Sequence, residues 1–196
     1  MQSPTRHVLV CLTTATLLSV TACGHSGPAT ASGSATPAAV ASSGAPGVFG
    51  GTDLAWVEIN IAMDEQLTPL LDLVRTHGAS PDVTALAAEV KAFHQQELAT
   101  LRRLRDQAKL PSENPHAGMQ MPGMVTPDQV AEVAATKGAG FDALLLKRLR
   151  EYLTQGMSLA KTEEKAGVEP QTRALAAQVL SSRSAYLPKV DSLSAK

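Results

Sequence analysis

Between Thr52 and Leu193 apolar residues recur at intervals of three and four, the spacing of helices with one buried face, and nowhere do they alternate as strands do. The first stretch carries Leu54, Trp56, Val57, Ile61, Met63, Leu67, Leu70 and Val74, with Thr52 as its N-cap and Gly78 as its stop. Pro69 removes a backbone donor inside it, which predicts a kink or a break near Gln66 to Pro69. Ser80-Pro81-Asp82 starts a second helix that runs to about Lys109. Thr126-Pro127-Asp128 caps a short one, Gln129 to about Lys137, which Gly138 and Gly140 break. A longer helix from about Phe141 to Gly167 and a last one from Pro170 follow, and Pro188 is expected to kink or shorten the latter.

The pattern repeats. Asp53 and Asp142, Gly78 and Gly167, and Pro81 and Pro170 are each 89 residues apart, and so are Leu86-Ala87-Ala88 and Leu175-Ala176-Ala177. Two copies of one helical hairpin are therefore expected, about 52–109 and 141–193, joined by a crossover over 110–140. Neither copy hides its apolar stripes alone, so docking into an all-α, antiparallel four-helix bundle follows.

Composition adds location. Aromatics make up 3% of the chain, so the core must be aliphatic, and a net charge of −1 lacks the basic surface that nucleic acid requires. Both cysteines, Cys11 and Cys23, precede the helices, so the folded part holds neither a disulfide nor a thiolate metal cluster. Arg6 and His7 ahead of the apolar run Val8 to Val20 read as a secretory leader, too short to span a membrane. Ser19-Val20-Thr21-Ala22-Cys23 resembles a lipobox, which makes residues 1–22 a lipoprotein signal peptide and Cys23 the lipidated membrane anchor. An ordinary cleaved leader is the alternative. Up to Gly51 the chain is almost wholly Gly, Ala, Ser, Thr and Pro, the composition of a flexible tether.

One stretch carries overt chemistry. Asn114 to Met124 reads N-P-H-A-G-M-Q-M-P-G-M, with Met119, Met121 and Met124 beside His116. Thioether and imidazole donors suit Cu(I) or Ag(I), and a glycine-containing loop can fold such donors around one ion. The competing reading is adaptable apolar packing over the bundle. Met63 adds a sulfur if it lies beneath the loop; otherwise it joins the core, with Asp64 and Glu65 solvated. His94 and Glu97 share a helix face, either as a ligand pair or as a surface hydrogen bond. His77 is expected to cap a helix C-terminus. A di-iron centre is excluded, because the second-copy partners of His94 and Glu97 are Arg183 and Tyr186. With no phosphate loop and no nucleophile paired to a base, the chain reads as a non-enzyme.

The residues from about Thr52 to Leu193 resemble the bacterial family called domain of unknown function 305, described as ferritin-like bundles that are often exported. The resemblance rests on Asp53-Leu54-Ala55-Trp56, Phe141-Asp142, His94-Gln95-Gln96-Glu97-Leu98 and the loop motif His116-Ala117-Gly118-Met119 with Met121-Pro122-Gly123-Met124. Members typically carry a His-His pair on the first helix of each hairpin, where this chain has Met63-Asp64 and Tyr152-Leu153. Some members are associated with copper or silver handling, so the resemblance implies a Cu(I) or Ag(I) binder whose loop has outlived its histidine pairs. The alternative is a degenerate member acting as a structural or protein-interaction module of the cell envelope.

Overall fold

A computed structural model describes residues 47–77 and 79–195. The leader, the lipobox with Cys23, most of the tether and the expected stop at Gly78 lie outside them. The first helix, α1 (Gly51–Asp72), ends in a 3-10 turn, Leu73–Arg75. Then come α2 (Pro81–Gln107), α3 (Pro127–Ala134), α4 (Gly138–Ala166) and α5 (Pro170–Ser194), with no strand among the described residues. α1 packs on α2 and α4 on α5, while α1 also faces α4 and α2 faces α5. These four long helices form the all-α bundle that the repeat requires.

Helix boundaries depart from the pattern in instructive ways. The N-cap of α1 is Gly50, not Thr52, and Asp53 reaches back to accept its N–H at 2.7 Å. α1 runs through Pro69 unbroken, and α5 runs through Pro188 to Ser194 without being shortened. Each proline is exposed, as is the residue four positions earlier whose carbonyl loses its donor, Glu65 or Ser184. Water can serve that carbonyl, so the missing bond breaks nothing. Gly138 and Gly140 do not separate two helices but lie in the first turn of α4, where backbone N–H groups have no intrahelical partner to lose.

The repeat explains how the two hairpins lock. Asp53, at the start of α1, accepts from Val168 N (3.0 Å) and Glu169 N (3.0 Å) in the α4–α5 turn. Asp142, 89 residues later at the start of α4, accepts from Ser80 N (3.0 Å), at the N-cap of α2. Each copy thus caps the turn of the other, and the end of the bundle holding the α4–α5 turn also holds the start of α1.

The interior has two apolar cores. One contains Leu67, Leu70, Val83, Leu86, Phe141, Leu145 and Leu149 at the end near α3. The other contains Trp56, Val57, Ile61, Leu101, Leu104, Leu175 and Val179 at the end where α1 begins. Between the two sets, along each long helix, stand Asp64, His94, Glu97, Gly156 and Arg183, all buried.

Candidate functional site

The crossover runs over α1 from Glu58 toward α3, pinned where Asn114 Nδ2 donates to Glu58 O at 2.7 Å. Asn114 Oδ1 accepts from His116 N (2.8 Å), and short turns follow, Ala117 N to Asn114 O and Met119 N to His116 O, both 3.1 Å. Gly118 and Gly123 take positive φ, 75° and 79°, which other residues adopt only under strain.

This geometry separates the predicted ligands. His116 Nδ1 lies 3.1 Å from the Met119 sulfur, and His116 Nε2 lies 3.9 Å from Glu58 Oε2. Met119 is 43% exposed. Met124 is buried in the core near α3 and Met121 packs against that core, both lining a cavity of about 660 Å³ with Lys147, Arg148, Arg150 and Glu151 of α4. Met63 is buried in the same core. Of the six expected ligands, His116 and Met119 are the pair found in direct contact. His77 Nε2 donates to Ala134 O (3.1 Å), Nδ1 lies 2.8 Å from the Thr76 hydroxyl and 3.0 Å from Leu73 O, and the ring stacks on Phe141. It ties α3 to the end of the first hairpin.

His94 belongs to a cluster the sequence reading missed. Asp64, expected in solvent, is fully buried, and His94 and Glu97, expected at the surface, are buried with it. Arg183 Nη2 donates to Glu97 Oε1 and to the Tyr152 hydroxyl, both at 2.8 Å, and lies 3.8 Å from Asp64 Oδ1. The Tyr152 hydroxyl donates to Asp64 Oδ1 at 2.7 Å. Thr68 Oγ1 donates to Asp64 O (3.0 Å), so at His94 Nε2 (3.1 Å) it accepts, which places the imidazole proton on Nε2. The Nδ1 lone pair then faces Tyr152 (3.4 Å) and Asp64 (3.6 Å). Gly156 makes room for the guanidinium, since a Cβ there would overlap it.

Electrostatics follows from one cation facing two carboxyls. Burial raises Asp64 well above its ordinary pKa and the charge of Glu97 adds to this, against Arg183 and the tyrosine bond. Burial also raises Glu97, opposed by the closer Arg183. Glu97, which Arg183 bonds directly, is therefore the carboxyl better placed to balance the guanidinium, and Asp64 is the one pushed further toward its protonated form. Burial, with the charges of Arg183 and Lys91, lowers His94 to about 4, so the ring is neutral. Arg183 keeps its proton despite burial, because Glu97, Tyr152 and Asp64 favour the cation. Among the described residues no three His, Cys, Asp or Glu side chains converge to hold a metal. The guanidinium takes up the centre of the cluster instead.

A signal for this cluster existed. Asp64 stands seven residues from Val57 and from Leu71, His94 four after Val90, and Arg183 four after Val179, all on the apolar stripes. Their periodicity, not their residue type, marks them as interior.

A second buried acidic group sits where α1 begins. Burial opposes the ionisation of Asp53, but Glu163 and the amides of Glu169, Gly50 and Val168 outweigh it, so its pKa is lowered. Burial pushes Glu163 up to about 8, and the neighbouring Asp53 adds to this. Neither Glu163 oxygen has a hydrogen-bond partner of regular geometry. Glu169 Oε2 caps α5, accepting from Thr172 N at 2.6 Å.

Comparison with known proteins places this architecture. No curated protein matches the chain. A crystal structure of a DUF305 protein of Streptomyces coelicolor, assigned as secreted, superposes with a TM-score of 0.65 at 20% identity, over 72% of this chain and 91% of that one. A DUF305 fragment from Deinococcus radiodurans gives 0.67 at 12% identity, over 75% and 97%. The likeness to both is one of fold. The family model described as "Domain of unknown function (DUF305)" matches residues 53–193, from the first capping aspartate to the last turn of α5, and the chain belongs to that family.

Proposed function

We propose that the protein is an exported bundle, anchored to the membrane at Cys23, that captures Cu(I) or Ag(I) at a shallow loop site formed by His116 and Met119. The observation that carries this is the 3.1 Å approach of His116 Nδ1 to the Met119 sulfur on an exposed, pinned loop. A soft sulfur and an imidazole nitrogen that already lie together match a soft monovalent cation. A thioether has no hydrogen to give, so Nδ1 is the donor in this contact and passes its proton to Nε2 in order to ligate, on the side where Glu58 Oε2, 3.9 Å away, adds negative charge. Met63, Met121, Met124 and His94 lie outside this ligand set, the methionines because they pack in or against the core, the histidine because its nitrogens face Thr68, Tyr152 and Asp64. Export is supported by the secreted assignment of the Streptomyces coelicolor relative. No helix among the described residues is long and apolar enough to cross a membrane.

The test is Cu(I) titration against a competing chelator, in a background where Cys11 and Cys23 are serine so that thiolates do not mask the loop. One equivalent should bind, and His116→Ala or Met119→Leu should abolish it, whereas Met63→Leu and Met121→Leu should not. Equal binding by all of these variants would remove the loop from the mechanism. A second reading, a structural or interaction module, draws support from an interior closed by the protein's own guanidinium. It expects a cell-surface partner recovered by crosslinking equally well with Met119→Leu.

A further inference from the structure

We infer that the end of the bundle from which the tether departs is a docking face for an anionic lipid surface. The residues that continue back into the tether, Gly47 to Gly50, lie against Glu169, Pro170 and Val168 at the α4–α5 turn. Around this end stand Arg103, Arg105 and Lys109 from the close of α2, Lys161 and Lys165 from α4, and Arg173 from α5. Among the described residues Arg105 is the one of these six in an ion pair, with its neighbour Asp106, while Arg173 lies in the field of the buried Glu163. Arg103 donates to the neutral Gln171 side chain and Arg173 to the backbone of Glu164, so their charges are not cancelled by those bonds. Lys109, Lys161 and Lys165 are exposed and have no partner among the described residues.

The acids at this end are arranged the opposite way. Asp53, Glu163 and Glu169 are buried, which leaves Asp106, Glu113 and Glu164 to reach solvent. A chain whose formal net charge is −1 therefore presents a cationic end. Two of the three large exposed hydrophobic residues among those described sit on the same end, Val48 at 87% and Val168 at 61%. Cations ringing small apolar side chains match the interface of an anionic bilayer, where a lone acyl chain holds only marginally and a basic patch supplies the second attachment. Oriented this way, the lipid tether and the charged face act on the same membrane, while α3 and the far core point away from it.

The inference rests on the membrane-anchor reading, and the two fail separately. Release of Cys23→Ser from the membrane fraction of cells tests the anchor. The face is tested with unacylated full-length chain, by sedimentation with vesicles of phosphatidylcholine alone or with one third phosphatidylglycerol. Binding should favour the anionic vesicles and weaken with salt. Each Lys or Arg near such a surface contributes roughly fivefold, so Lys109→Gln/Lys161→Gln/Lys165→Gln should lose about a hundredfold. The control Lys137→Gln/Lys147→Gln, on exposed lysines elsewhere, should lose little, and Val48→Ser/Val168→Ser should weaken vesicle binding further. Equal binding to both vesicle types, or equal losses in the two lysine variants, would overturn the inference. So would binding to soluble polyglutamate as tight as to vesicles with the valine variant silent, since that describes an acidic polymer as the partner.

Discussion

Arg183 is the residue on which the middle of the molecule depends. Its guanidinium is buried against Glu97 and Tyr152, and removing one member of such a buried ion pair costs about 3–5 kcal/mol, because the partner is left charged and dry. Arg183→Met should lower urea stability by that amount, and adding Glu97→Leu should return most of it; a double variant as weak as the single would show that packing, not charge, is at stake. Gly156→Ala should mimic the arginine loss in part, by about 1–3 kcal/mol, since its methyl enters the guanidinium's space. Glu163 gives a pH signature. Its pKa rises from 4.5 to about 8 on folding, so folding takes up a proton between those values, and stability falls as pH climbs through that window and levels above it. Glu163→Gln should show a shallower fall and exceed the wild type at pH 8 in thermal melts. The slope does not vanish, because Asp64 and Glu97 are raised in the same sense. None of this was legible from residue type: Asp64, His94 and Glu97 look like surface residues, and only their place on the stripes says otherwise.

At the scale of elements, four long helices and one short one were readable, because Ser80, Thr126 and the prolines at 81, 127 and 170 are local signals that act where they stand. The ends that were misread are those decided from afar. Thr52 is an ordinary N-cap by type, yet Asp53 sets the start of α1 through Gly50 and, at the same time, the α4–α5 turn more than a hundred residues away. Such a bond has no trace in local sequence, although the matching Asp142 is a hint once the repeat is seen. The two aspartates are not equal. Asp53 is fully buried and accepts from three backbone amides, whereas Asp142 is partly exposed and accepts from one, with its other oxygen unpartnered. Hydrogen bonds to a charged acceptor are worth roughly 1.5–3 kcal/mol and exposure discounts them, so Asp53→Asn should cost about 2–3 kcal/mol and Asp142→Asn about 1 kcal/mol or less. Denaturant midpoints of the two variants decide the order; equal losses would mean that the caps are interchangeable despite their burial.

The bundle is two hairpins joined across an interface of their own as well as by the chain that links them. α1 lies on α4 and α2 on α5, each hairpin's aspartate caps the other's turn, and Arg183 of the second hairpin bonds Glu97 of the first. The repeat of 89 residues made this pairing legible, whereas the polar layer was not, because it is where the repeat breaks: Met63 faces Tyr152 in register, His94 faces Arg183, and Glu97 faces Tyr186. A symmetric interior would have set like beside like. The departures turn two copies into an ion pair that only unlike copies can make, and so favour this pairing over two first copies or two second copies. The crossover, by contrast, is exposed at Gly118 and Met119, and its ends are held independently, by Asn114 on Glu58 and by His77 on Ala134. Beyond Met121 it packs Met124, Val125 and Val133 into the core near α3, so a cut at its exposed part removes only the link that keeps the hairpins at high effective concentration. A protease site inserted between Gly118 and Met119 and then cleaved should therefore leave the fragments together in gel filtration. The melting temperature, independent of protein concentration before cleavage, should rise with concentration after it. Combining the cut with Arg183→Met should separate the fragments at micromolar concentration. Fragments that part on cleavage alone would place the strength of the fold in the loop rather than in the interface.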